Sequence, residues 1–98
     1  MPDEALPFGK LNQDLIRQGQ ETLIQFLLIQ LDFAFVMCEM LDVVQNADHR
    51  DRIARDVHKA LDTVYRFEER VRDTANRENI HKEAIALEDL IASLEAHP

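Results

Sequence analysis

Residues 22–44 read TLIQFLLIQLDFAFVMCEMLDVV, and no other stretch limits the fold as strongly. Wound as a helix, this stretch is apolar nearly all the way round, interrupted by Asp32, Glu39 and Asp42. At about 100° per residue, Asp14, Gln18, Glu21, Gln25, Asp32 and Glu39 fall in one narrow stripe, which leaves an apolar arc well over half the circumference. A helix that touches a core on one side needs an arc of about 100° or slightly more. The surplus has to be covered by other helices, either of the same chain or of a partner.

The rest of the chain is helical in pattern too. Pro2, Pro7 and Pro98 are terminal, and no run alternates apolar with polar residues as a strand would. The fold class is therefore all-α, an antiparallel three-helix bundle with a long first helix, over about residues 11–45, 49–72 and 77–96. Residues 1–10 read as a flexible lead-in or docking arm, with Phe8 able to staple it to the first helix, and residues 11–98 as one domain. Asn12 is a candidate N-cap. Gly19 costs roughly 1 kcal/mol against alanine, which leaves open a bend there, or a break that would fold the chain into a four-helix monomer.

Turn residues 45–48, QNAD, separate the first two helices, with Asp48 as the expected N-cap of the second. Ile53, Val57, Ala60, Leu61, Val64, Tyr65, Phe67 and Val71 make its apolar face. Acid-first pairs four apart, Asp51–Arg55, Asp62–Arg66 and Glu68–Arg72, would each add a few tenths of a kcal/mol. Residues 74–76 read as a tight connection, and Ile80, Ala84, Leu87, Leu90, Ile91 and Leu94 form the apolar stripe of the third helix, with Ile85 and Ala92 on its far side.

Charge narrows the range of partners. The net charge is -8, and the basic residues between 48 and 82 are matched by nearby acids. Nucleic acid and anionic membranes attract proteins through a basic footprint, so neither is expected as a partner. Residues 23–44 have the length of a membrane span, but an aspartate at bilayer depth costs about 3 kcal/mol on insertion scales. The start, MPDEALPFGK, lacks a cationic segment followed by an apolar core, so no signal peptide is read there. Cys38 is the sole cysteine, which rules out an intrachain disulfide. A soluble cytoplasmic protein is the expectation.

Few residues suggest chemistry. Glu78 and His81 have the Glu-x-x-His spacing of carboxylate-bridged metal sites on bundles, with Asp32 or Glu39 as conceivable further ligands. Their side chains point to the flank of the third helix rather than to its core, and a solvated first turn accounts for them equally. His58 stands at the border of the second helix's apolar face, as a phosphotransfer histidine would. The positions three and four beyond it are Leu61 and Asp62, where that chemistry would have lysine and glycine. Cys38 falls in the core arc as a small apolar residue. Gln30 points into the same arc, where a polar group either fixes the register of a helix seam or meets bound water. No catalytic residue and no cofactor is assigned.

Residues 31–41, then Asp48-His49-Arg50, then residues 60–67, ALDTVYRF, resemble a loose group of short bacterial helical proteins with no assigned activity. Their hairpin is similar to a tetratricopeptide pair, in which an alanine and an aromatic on the second helix pack against the first. Here no Trp or Leu-Gly pair opens the first helix and no proline closes the second. The resemblance implies helical packing or interaction and supplies no catalytic residue.

The expected function is therefore a non-enzymatic interaction or assembly module, homodimeric through its first helix. The expected interface is Leu23, Phe26, Leu27, Gln30, Phe33, Met37, Met40 and Leu41. The alternatives are a histidine phosphotransfer or metal-binding bundle, and an acidic chaperone or antitoxin-like partner of a basic protein.

Overall fold

The computed structural model describes the backbone of residues 2–96 and the side chains of residues 12–96. The lead-in arm and its Phe8 staple lie outside the described side chains. Three helices follow in order: α1, Pro2–Val43; α2, Ala47–Glu68; and α3, Thr74–Ala96. Short connections at 44–46 and 69–73 make them up–down–up neighbours, and each packs on the other two. The molecule measures 69 × 22 × 16 Å, elongated because α1 is about twice the length of its companions.

α1 runs through Gly19 unbroken, so the four-helix alternative does not occur. The glycine has negative φ and nothing within 4 Å of where a Cβ would stand. Its entropic cost is carried by the helix on both sides. Asn12 lies inside the helix rather than capping it.

The N-cap of α2 is Asn46, not Asp48. The His49 N–H donates to the Asn46 side-chain oxygen at 3.0 Å, and the Arg50 N–H donates to the Asn46 carbonyl at 2.9 Å. Asp48 instead adds a negative charge to the first turn, where the helix dipole favours it. α3 begins at Thr74, earlier than the pattern indicates, because Asp73 starts it: the Arg77 N–H donates to the Asp73 carbonyl at 2.9 Å, and the Asn76 amide donates to its carboxylate.

α2 stops at Glu68, short of the expected Arg72. The Arg70 and Val71 N–H groups donate to the carbonyls three residues back, Phe67 and Glu68, at 3.0 and 3.1 Å. That tighter winding closes the helix. Val71, read as the last residue of the helical face, is fully buried in the connection itself. Gln20 of α1 holds this turn from across the bundle. Its amide donates to the Arg70 carbonyl at 2.9 Å, and its oxygen accepts the Arg72 N–H at 2.8 Å. Gln20 is therefore level with the α2–α3 turn, and the part of α1 before it projects beyond the bundle.

One continuous core joins the helices: Leu27, Leu31, Ala34 and Cys38 of α1, Val57 and Val64 of α2, and Ile80, Ala84 and Leu87 of α3, with others around them. Alanines at 34, 60 and 84 let the backbones come close. The face expected for α2 is the one buried, with Tyr65 and Phe67 half-buried at its two edges. On α3, Leu90 turns out exposed and Leu94 half-buried, so the buried stripe is narrower than the six expected residues.

The surface pairs fare differently. Asp51–Arg55 and Asp62–Arg66 do not close to within 4 Å, and Glu68 turns to His81 of α3 instead of Arg72, which has left the helix. Exposed pairs gain little over water, and the entropy of two long side chains cancels most of it.

Candidate interaction surface

The bundle covers only part of the apolar circumference of α1. Phe26, Ile29, Phe33, Val36, Met40 and Val43 are each between 41% and 74% exposed. Their spacing is three, four, three, four, three, so they form one stripe along the helix, nearly opposite Leu31. Leu15 and Ile16, on the projecting part, are about half exposed as well. α2 and α3 sit on the Leu31 side, and α2 reaches the stripe only at its edge, where Phe67 meets Phe26.

The stripe has two different borders. On one side run Gln25, Asp32 and Glu39, all exposed. On the other lies α2, marked by Phe26 meeting Phe67 edge-on, with ring centroids 6.5 Å apart and planes at 89°. The Arg70 guanidinium stacks over Phe67, 4.8 Å from its centroid. By helical spacing Arg52 and Lys59 lie on that outer flank of α2 with Asp56 between them, and its stacking on Phe67 puts Arg70 just past the end of the helix on the same side. An apolar band thus has an acidic margin on one side and a mainly basic one on the other.

The structure divides the eight residues expected at an interface. Phe26, Phe33 and Met40 are exposed; Leu23 and Gln30 are half-buried; Leu27, Met37 and Leu41 belong to the chain's own core. The sequence arc was too wide to show which part faced inward. Ile29, Val36 and Val43 were missed, although the alternating three-and-four spacing was there to be read. Gln30 borders the stripe rather than lying in its middle, and no buried side-chain polar atom among the described residues lacks a partner.

The residues with possible chemistry are spread along the opposite side, at the α2–α3 seam. His58 Nε2 lies 2.5 Å from Glu95 Oε1. His81 Nδ1 lies 3.0 and 3.1 Å from the two Glu68 oxygens. Glu78 and His81 line a shallow surface cleft with Glu68, Glu69, Arg77 and Lys82, a mixture of acids and bases. Among the described residues no three of His, Cys, Asp and Glu gather in a metal-binding set, and Asp32 and Glu39 lie on another helix's outer margin. Tyr65 donates to Glu88 Oε2 at 2.5 Å, and burial, that hydrogen bond and the nearby charges of Glu88, Glu68 and Asp89 push its phenol up to about 12. Burial also pushes the Cys38 thiol up, away from the reactive thiolate. The His58–Glu95, His81–Glu68 and Tyr65–Glu88 contacts tie α2 to α3.

By length and composition, Asn12–Val43 is also apolar enough to cross a membrane. In the fold the same segment supplies Leu27, Leu31, Ala34 and Cys38 to the core.

Compared with protein-family models, with curated proteins and with solved structures, the chain matches none.

Proposed function

We propose that this protein is a non-enzymatic helical module that assembles with a protein partner, first of all with itself, through the uncovered face of α1. The observation that carries this reading is the continuous exposed stripe from Phe26 to Val43. Taking typical side-chain areas, it leaves about 600 Å² of apolar surface in water, at the upper end of the largest patch on an ordinary monomer. Such a surface favours association, because apolar area removed from water is worth about 25 cal/mol per Å². The setting proposed is cytoplasmic, with neither nucleic acid nor membrane as the target.

Size-exclusion chromatography with light scattering on wild type and on Phe33→Glu tests the reading. Wild type is expected as an oligomer at micromolar concentration, and the charged variant as a folded monomer by circular dichroism. A wild type that stays monomeric at those concentrations would remove self-assembly from the account.

A further inference from the structure

We infer that two copies of the chain pair in parallel and in register along α1, in a coiled-coil seam with Phe26, Phe33 and Met40 at the a positions and Ile29, Val36 and Val43 at the d positions. This rests on the reading of α1 as an assembly surface and adds the occupant and its orientation.

The spacing argues for a helix as the occupant. Three-and-four alternation is a repeat of 3.5 residues, which keeps one seam facing a second helix when the two supercoil. Six consecutive positions of the stripe obey it without a polar interruption. A second copy presents the same seam, so the two surfaces match by symmetry. Fully covered, the two stripes would together bury at most about 1,200 Å² of apolar surface, the lower bound for a stable, specific interface.

Two chains rather than more follow from the borders. β-branched residues at d positions can favour larger assemblies, but a third helix needs room along both flanks of the seam. Here one flank is Gln25, Asp32 and Glu39, and the other is occupied by α2.

Charge sets the direction. A two-fold axis parallel to α1 brings the acidic margin of each chain against the Arg52, Lys59 and Arg70 flank of the other. A two-fold axis across α1 brings acid against acid and base against base. Length agrees. If the helices ran antiparallel, residue 26 would face residue 43 of the other copy, and Leu15 and Ile16 would overhang its end, still exposed. In parallel register the projecting parts run side by side. Beyond Gly19 and Thr22, which take the next a and d positions, Leu15 falls in the d phase and Asn12 in the a phase, where a polar residue fixes register.

The test uses the full chain with Cys38→Ala as background, first by sedimentation equilibrium, then by oxidative cross-linking of introduced cysteines. Val43→Cys alone, and separately Leu15→Cys outside the packed bundle, should each form disulfide-linked dimers. Asp32→Lys with Glu39→Lys should weaken dimerisation about tenfold, because the new lysines would face the basic flank. A dimer in which Val43→Cys links only to Phe26→Cys of the other copy, and which the lysine changes tighten, would overturn parallel pairing and leave assembly standing. A tetramer would overturn the two-chain seam. A monomer, or a chain that floats with phosphatidylcholine or phosphatidylglycerol vesicles instead of pairing, would overturn both.

Discussion

Gln20 on α1 accepts the backbone N–H of Arg72 at 2.8 Å, fifty-two residues further along the chain. Its amide returns a hydrogen bond to the Arg70 carbonyl, so one side chain stands in for the backbone partners that the α2–α3 turn lacks. The same contact fixes the height at which α2 and α3 meet α1, and hence how much of α1 is left to project.

Gln20→Ala should therefore destabilise the fold by about 1 kcal/mol, since water can reach the exposed turn and replaces part of what is lost. Gln20→Glu keeps the acceptor for the Arg72 N–H but sets a carboxylate against the Arg70 carbonyl, and should cost at least as much. Urea unfolding followed by circular dichroism at equal protein concentration measures both. No loss in either variant would mean that the turn holds itself.

Gly19→Ala should have the opposite sign. The helix is continuous there and an added Cβ meets nothing within 4 Å, so a gain of about 0.5–1 kcal/mol is expected from the smaller entropy of the unfolded chain. A higher urea midpoint with an unchanged slope is the expected result.

Leu31→Ala and Phe33→Ala separate core from surface within a single turn of one helix. Leu31 is fully buried, and its truncation should cost about 2–5 kcal/mol, much of what a domain this small has. Phe33 is more than half exposed, so its truncation should change the stability of the isolated chain little while weakening assembly. Unfolding at low protein concentration beside light scattering at high concentration distinguishes the two effects.

Tyr65 is the chain's one tyrosine, and there is no tryptophan, so tyrosinate absorbance reports on it alone. Its phenol is pushed up to about 12 in the fold from an ordinary value of 10.0. The folded state then holds a proton that the unfolded state has lost. The stabilisation is complete below about pH 10 and disappears as the pH rises towards 12. Absorbance titration should show a midpoint above that of the urea-unfolded chain, and Glu88→Gln should move it down. Superimposable titrations of folded and unfolded protein would contradict the Tyr65–Glu88 contact.

α2 was legible because it contrasts. Charged and apolar residues separate cleanly around it, and the expected face from Ile53 to Val64 is the buried one. Its end was not legible: Val71 continues the apolar period in sequence but is buried as part of a turn. The partner that makes this possible, Gln20, lies half the chain away. Asn46 and Asp48 are both good cap residues two positions apart, and only the path of the connection decides between them.

By itself the sequence determined that the chain is helical, that it forms three segments, and that the first carries more apolar surface than two companions can hide. The reason is local: periodicity and the absence of interior breakers are properties of neighbouring residues. Which part of that surface becomes core was decided only by the tertiary structure. Around α1 apolar residues point in almost every direction, so burying Leu27, Met37 and Leu41 while leaving Ile29, Phe33 and Val36 in water depends on where α2 and α3 dock.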